Sequence, residues 1–268
     1  MIRAPAVAGT FYPNNPGELI RQIQKFVRAE NYAPALPVRA CLVPHAGYSY
    51  SGQVASAVYS RVALPQRIVI LGVRHFPHGA DGAIVSEGAW RTPLGHAQID
   101  SDLANKISRA CPFLREDSIA HHREHSLEVQ LPFLQVLQPK FTFVPIALGT
   151  HDYAALVTVG EALGKILAFE PDVLLLTTSD FNHYEDDATT RRKDALAIEK
   201  ILQFDPSGLF EVCRNAKISM CGLGPAVAML TALNNIHSNR AELLKYATSA
   251  DISGDTSAVV GYAGFLFR

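Results

Sequence analysis

The chain has 268 residues, of which 48% are hydrophobic and 18% are charged, and its formal net charge is −1. This is the composition of a globular protein, and it excludes an intrinsically disordered or collagen-like chain. The 24 basic and 25 acidic residues are balanced and dispersed, so the electrostatic signature of a protein that binds nucleic acid or an anionic membrane is missing. We therefore expect a small molecule as the partner, with no nucleic acid and no membrane.

The beginning of the chain and its cysteines predict a cytoplasmic protein. Residues 1–13 contain Pro5 and Gly9 and lack the apolar core of a signal peptide. The uncharged stretch 218–233 is interrupted by glycine and proline, and its helical part falls far short of the ~20 residues that span a bilayer. The four cysteines are irregularly spaced without any C-x-x-C, which indicates neither a disulfide framework nor a zinc ribbon.

In chain order, the first predicted element is a helix that begins at Pro16. Asn15 is suited to cap this helix, proline is favoured at the first helical position, and Glu18 completes a capping box. Leu19 and Ile23 then lie on one apolar face.

The rest of the chain alternates between predicted strands and predicted helices. Short apolar runs typical of strands buried on both faces lie at 40–43, 67–71, 141–147 and 173–178. Segments with helical length and spacing lie at 53–62, 101–110, 126–138, 152–167 and 189–202. Two closing strands are predicted at 243–250 and 258–267. The alternation predicts a single α/β domain over residues 1–268, with a largely parallel central sheet flanked by helices.

Three of the predicted strands run directly into a histidine. His45 and His75 follow the first two strands, and His183 follows the fourth. Ligands of open α/β sheets bind outside the carboxyl ends of parallel strands, so these imidazoles should converge at one edge. His78 is a competing candidate near His75, and we expect it to be a solvent-exposed bystander.

A second histidine cluster spans residues 121–128. His125 and Glu128 are three residues apart, so on a helix they share a face, as a base and its orienter or as two metal ligands would. The alternative is a solvated helix start, where Glu128 would be favourable near the positive end of the helix dipole. We expect His121 and His122 to lie at the surface.

Cys221 lies in a predicted loop, residues 219–225, that leads into a predicted helix at 226–233. A thiol at a helix N-terminus is placed where its pKa is lowered, and thiolate is the form that binds metal. The alternative is a small core residue, which is common for free cysteine.

Taken together, these motifs resemble the Memo family, whose bacterial and archaeal members include AmmeMemoRadiSam system protein B. The resemblance spans nearly the whole chain. The motifs that carry it are Ala8-Gly9-Thr10-Phe11-Tyr12-Pro13, Pro44-His45-Ala46-Gly47-Tyr48, Ile70-Leu71-Gly72, Arg91-Thr92-Pro93-Leu94-Gly95, Glu124-His125-Ser126-Leu127-Glu128, Ser179-Asp180-Phe181-Asn182-His183-Tyr184, Cys221-Gly222 and Tyr262-Ala263-Gly264.

The resemblance implies a fold like that of class III extradiol dioxygenases, built around a non-haem iron pocket. It also implies metal ligation by His45, His75 and Cys221, with Asp180 and His183 lining the same pocket. Dioxygenases of this kind use two histidines and one carboxylate, whereas here a thiolate replaces the carboxylate. We therefore expect iron as the metal, with copper and zinc as alternatives.

Three functional hypotheses follow from this resemblance. The first is a metal-dependent oxidoreductase acting on a small molecule, with His183 as general acid and base, Asp180 as its orienter and His125 behind the ligands. The second is a non-catalytic metal-binding, ligand-binding or signalling protein with a vestigial active site, and the third is a zinc-dependent hydrolase. The family name also implies a functional association with a radical SAM protein, although this chain has no cysteine triad for an iron–sulfur cluster.

Overall fold

The computed structural model describes residues 1–30 and 34–268, which contain twelve strands and ten α-helices. The strands are β1 Ile2–Arg3, β2 Ala40–Val43, β3 Arg67–Val73, β4 Gly82–Ile84, β5 Ala89–Thr92, β6 Gly95–Ile99, β7 Arg115–Glu116, β8 Thr142–Leu148, β9 Val173–Thr178, β10 His183–Glu185, β11 Ala241–Thr248 and β12 Val259–Phe267. The helices are α1 Pro16–Ala29, α2 Tyr48–Tyr59, α3 Ser101–Ala110, α4 Ile119–His122, α5 Leu131–Leu137, α6 Tyr153–Phe169, α7 Asp187–Leu202, α8 Pro206–Asn215, α9 Leu223–Asn235 and α10 Ala250–Ser253. A 3₁₀ turn, Glu128–Gln130, leads into α5.

One sheet organises these elements, with the strand order β1-β5-β6-β8-β3-β9-β2-β12-β10. Its centre, β6-β8-β3-β9-β2, is entirely parallel. Antiparallel pairs flank this centre, with β5 on one side and β12 on the other. The prediction of an α/β fold with a largely parallel sheet is confirmed.

The sheet separates two hydrophobic cores. Along β3, Val69 and Leu71 face one core, whereas Ile68 and Ile70 face the other. Helices α3 and α6 to α9 cover the first core, and α1, α2 and α5 cover the second. Successive side chains of a strand point to opposite faces, so a strand between two cores must be apolar throughout. This is why the central strands appear as unbroken apolar runs in the sequence.

Most predicted elements have their expected positions. The first helix begins at Pro16, and the Asn15 side chain accepts a hydrogen bond from the Glu18 amide, as predicted for its cap. The predicted helix at 126–138 is wrong, because this segment is a 3₁₀ turn followed by the short helix α5. The β5–β6 hairpin was not predicted, and it turns at Gly95 with a φ of +114°.

The prediction that His121 lies at the surface is also wrong, whereas His122 is exposed. The N-terminal strand β1 covers His121: Arg3 Nε donates to the His121 carbonyl at 2.6 Å. The imidazole also packs edge-on against Trp90, with ring centroids 5.7 Å apart. This burial depends on a segment more than one hundred residues away, so the local sequence gave no sign of it.

Within residues 1–30 and 34–268, every helix is too short or too polar to cross a membrane.

Candidate metal centre

Three residues predicted to bind metal converge at the carboxyl edge of the parallel strands. His45 lies two residues after β2, His75 lies two residues after β3, and Cys221 lies two residues before α9. One potential ligand atom from each of the three lies within 4.8 Å of the other two. Cys221 Sγ is 3.1 Å from His45 Nε2, and the two imidazole centroids are 5.3 Å apart.

His45 is held on its outer side by the end of β9. Its Nδ1 is 2.9 Å from Thr178 Oγ1, and its amide donates to Asp180 Oδ1 at 2.8 Å. The side chain is 1% exposed, and burial, followed by His75 and His125, lowers its pKa well below the ordinary value. His45 is therefore a neutral imidazole whose Nε2 faces the thiol, which is the form that binds metal.

His75 is held by a carboxylate that the sequence did not single out. Glu124 Oε1 lies 2.9 Å from His75 Nδ1, and Oε2 accepts from the His75 amide at 2.7 Å. The Ser126 amide donates to Oε1 at 2.8 Å. This arrangement leaves Nε2 as the free nitrogen of His75. A carboxylate on the far nitrogen fixes the ring and raises its basicity in many metal sites.

The carboxylate of Glu124 is fully buried and nevertheless ionised. Burial acts to raise its pKa, but the hydrogen bond and charge of His75, with the charge of His125, lower it to about 2. The only signal in the sequence was its position next to His125. Thr178, the other partner of a proposed ligand, ends an apolar strand and gave no signal at all.

Cys221 lies before the first turn of α9, as predicted, but its pKa is not lowered. Burial and the neighbouring Asp180 raise the pKa of the thiol and outweigh the hydrogen bond that its sulfur accepts from the Asp180 amide at 3.3 Å. A metal ion bound here has to displace the thiol proton, as coordination of thiols does.

Two glycines allow the surrounding loops to come close. A Cβ on Gly222 would lie 2.4 Å from Ser179 Cβ and 2.5 Å from the Thr178 carbonyl oxygen. A Cβ on Gly72 would lie 2.7 Å from Ser126 Oγ. Gly222 thus lets the Cys221 loop contact the end of β9, and Gly72 lets the segment after Glu124 contact β3.

His125 lies beside the proposed ligands. Its ring stacks on His75 with centroids 4.6 Å apart, and its centroid is 5.7 Å from that of His45. Burial lowers its pKa to about 4. His75, Glu124 and His125 form a second set of potential ligand atoms within 4.8 Å of one another.

Glu128, which we paired with His125, faces the other way. Its carboxylate accepts from Arg3 at 2.6 Å and from the Tyr12 hydroxyl at 2.6 Å. It also accepts from the amides of Ala6 and Val7. The predicted shared face fails because His125 precedes the 3₁₀ turn and does not lie on a helix.

Asp180 and His183 complete the edge. Asp180 is buried, and burial raises the pKa of its carboxyl to about 6. Its carboxylate accepts from the His45 amide, so Asp180 positions a proposed ligand. The His183 ring has Nδ1 3.0 Å from the Ser219 carbonyl oxygen. His183 is close enough to lower the pKa of His45 by its charge.

The donor set fits a metal ion chemically. Two imidazoles and one thiolate suit iron, copper and zinc, and both histidines have their far nitrogens engaged. The other three cysteines are buried free thiols, in β2, directly after α3 and in α8.

Comparison with known proteins gives consistent matches over the whole chain. The family described as Memo-like protein matches residues 3–266. A MEMO1 family protein from Methanopyrus kandleri is 42% identical over 281 residues, covering 100% of this chain and 99% of the relative. Another from Methanocaldococcus jannaschii is 41% identical over 280 residues, covering 98% of this chain and 97% of the relative.

Among solved structures, an uncharacterized protein from Escherichia coli K12 has a similar fold. Its TM-score is 0.53 at 11% sequence identity, over 84% of this chain and 99% of that chain. At this identity the likeness concerns the fold alone.

Proposed function

The chain belongs to the family of Memo-like proteins, and from this premise we propose that it is a metal-binding oxidoreductase whose ion is held by His45, His75 and Cys221. Iron is the first candidate, with copper and zinc as alternatives, because imidazole suits all three and thiolate favours the last two. The pocket resembles that of non-haem iron dioxygenases with one ligand exchanged.

One observation carries the proposal. Two imidazoles and a thiol from three separate loops bring potential ligand atoms within 4.8 Å of one another. Thr178 and Glu124 engage the far nitrogens of the two imidazoles, which leaves the near nitrogens for the ion. A packing role for the histidines alone would not require this orientation.

The bound metal would supply a Lewis-acidic centre, which would also be redox-active if the ion is iron or copper. The chain's own groups supply the remaining chemistry. His183 uses Nδ1 against the Ser219 carbonyl, so its Nε2 is the atom that accepts or donates a proton. His125, kept neutral by burial, stacks on His75 and supports the orientation of that ring.

A zinc-dependent hydrolase is the second candidate, and the soft thiolate favours it. Metal analysis and an oxygen assay distinguish the two. Protein purified without oxygen should contain iron and consume oxygen with a candidate phenol if the first proposal holds. Stoichiometric zinc, with ester hydrolysis and no oxygen consumption, would favour the second.

The ligand assignment is tested with His45→Ala and His75→Ala. Each variant should lose stoichiometric metal while unfolding cooperatively, as measured by elemental analysis and circular dichroism. His78→Ala is the matched control, since His78 is exposed and lies three residues from His75. Unchanged metal content in both ligand variants would refute the assignment.

Cys221 is tested by two substitutions. Cys221→Ser should shift the preference away from copper and zinc, and Cys221→Asp should bind Fe(II) through two histidines and one carboxylate. Competition between Zn(II) and Fe(II) measures the shift. If both variants keep the selectivity of the unmodified chain, Cys221 is not a ligand.

A further inference from the structure

A cavity of about 410 Å³ opens beside Cys221. Its walls come from four places at the carboxyl edge of the sheet: the ends of β3 and β8, the last turn of α8 with the segment after it, and the first turn of α9. His75, a proposed ligand, directly follows Arg74 in the cavity wall. The cavity and the proposed metal centre therefore share the Cys221 side chain and lie next to each other.

The charged side chains of this cavity are all basic. Arg74, Arg214 and Lys217 line it, and none of the described residues in its lining is an aspartate or a glutamate. Arg74 forms an ion pair with Asp81 at 2.6 Å, outside the cavity lining. Within residues 1–30 and 34–268, Arg214 and Lys217 form no ion pair. In a chain whose total charge is −1, two unpaired cations in one cavity form a local positive region.

The polar groups around these cations also favour a negatively charged ligand. Arg74 Nε is buried and has no hydrogen-bond partner among the described residues. The first turn of the thirteen-residue helix α9 contributes Leu223, Gly224 and Pro225, which places the positive end of its dipole at the wall. The volume is in the range of small-molecule pockets, roughly 300–1,000 Å³.

We propose that this cavity binds the anionic group, a carboxylate or a phosphate, of a small organic substrate. The inference rests on the proposed function, because the rest of that substrate would extend past Cys221 to the metal centre. Arg214 and Lys217 supply the charge that selects the anion, and the centre acts on the other end of the molecule. Uncharged molecules of the same size should bind more weakly.

The first test measures anion binding by calorimetry. Inorganic phosphate and succinate are titrated separately to distinguish phosphate from carboxylate, with succinamide as the uncharged comparison. Arg214→Gln/Lys217→Gln should weaken binding of the preferred anion by about tenfold, the effect of two exposed charges. Arg109→Gln/Lys140→Gln is the matched control, since both residues are exposed and lie outside the cavity lining.

The second test connects the cavity to the centre. Phosphonoacetohydroxamate carries a metal-binding hydroxamate and an anionic phosphonate, whereas acetohydroxamate carries only the former. Zinc-loaded protein should bind the phosphonate compound about tenfold more tightly, and Arg214→Gln/Lys217→Gln should abolish this advantage. The same advantage in both proteins, or none in either, overturns the inference.

The two proposals fail in different ways. If the cavity variant binds anions as the control does while its metal content is normal, the anion site is wrong and the metal centre remains. If His45→Ala and His75→Ala keep their metal but the cavity variant loses anion binding, the metal assignment is wrong and the anion site remains.

Discussion

Two walls enclose the proposed metal centre, and each contains a buried carboxylate in a different electrostatic state. The glutamate wall, residues 121–128, holds Glu124 with a pKa of about 2. The aspartate wall, residues 178–183, holds Asp180 with a pKa of about 6. Both side chains are nearly inaccessible to water, so burial alone does not explain the difference.

The hydrogen-bond donors and charges around each group explain it. Glu124 accepts from the His75 ring, the His75 amide and the Ser126 amide, and two imidazoles act on its charge. Asp180 accepts from the His45 amide. This hydrogen bond and the other interactions that lower the Asp180 pKa are too weak to overcome the effect of burial, which raises it. A buried carboxylate is therefore ionised where several hydrogen-bond donors converge on it, and it holds a proton more tightly where fewer donors do.

The largest contrast is expected from Glu124→Gln and Asp180→Asn. Glu124→Gln removes the charge and places an amide nitrogen against N–H donors, so it should cost about 3 kcal/mol of unfolding free energy. It should also weaken metal binding by about 10- to 100-fold, because His75 loses its partner. Asp180→Asn keeps an acceptor for the His45 amide and should cost less on both measures. Urea unfolding and metal titration give the two values.

Glu128→Gln is the control for this contrast. Glu128 is equally buried in the same wall, but its partners are Arg3, Tyr12 and the amides of Ala6 and Val7. This substitution should destabilise the chain without changing metal affinity. Equal losses of affinity in Glu124→Gln and Glu128→Gln would show that affinity follows stability and not the contact with His75.

The second expectation concerns pH, and it has opposite signs in the two walls. The Glu124 pKa is lowered from 4.5, so its stabilisation is complete above pH 4.5 and is lost toward pH 2. The Asp180 pKa is raised from 3.8, so its penalty is complete above pH 6 and is relieved toward pH 3.8. Each contribution should change by roughly 3 kcal/mol across its window.

Urea unfolding of the metal-free protein from pH 3 to pH 8 measures both contributions. The deficit of Glu124→Gln against the unmodified chain should shrink as pH falls below 4.5. The stability of Asp180→Asn relative to the unmodified chain should rise as pH increases from 3.8 to 6 and then stay constant. Parallel profiles for the two variants would contradict the opposite states of the walls.

The smallest effect is expected at Thr178, which holds His45 from the aspartate wall. Thr178→Val removes the partner of Nδ1 with little change in volume, and it should lower metal affinity about tenfold and stability by about 1 kcal/mol. Thr177→Val is the matched control, because Thr177 Oγ1 is buried and has no hydrogen-bond partner in the part of the chain that the structure describes. Thr177→Val should keep the metal affinity and the stability of the unmodified chain. An unchanged metal affinity in Thr178→Val would exclude a positioning role.

The sequence predicted the parts of the fold that depend on local chemistry. The cap at Asn15 and the apolar runs of β2 and β9 were placed correctly, because capping geometry and burial on both faces leave marks in adjacent residues. The hairpin of β5 and β6 was missed. Its strands span only four and five residues, and exposed and buried positions do not alternate regularly along them, so the sequence offers no strand periodicity to distinguish them from a loop.

In the candidate site too, some features were predicted from the sequence and others were not. The resemblance identified His45, His75 and Cys221, and the structure brings their potential ligand atoms together. The roles of Glu124 and Thr178 could not be predicted, because each depends on a contact with a residue 49 or 133 positions away. The raised pKa of Cys221 was missed because its position before a helix indicated the dipole but not the depth of burial.

The close approaches at Gly72 and Gly222 have a consequence for the sequence variation that the site tolerates. Neither residue has a functional group, and a single methyl group on either would overlap the opposite loop or strand. In a library covering every position of the site, exposed Arg214 and Lys217 should accept many replacements with intact folding. Gly72 and Gly222 should accept almost none, because even alanine would push apart the segments that carry Glu124 and Cys221.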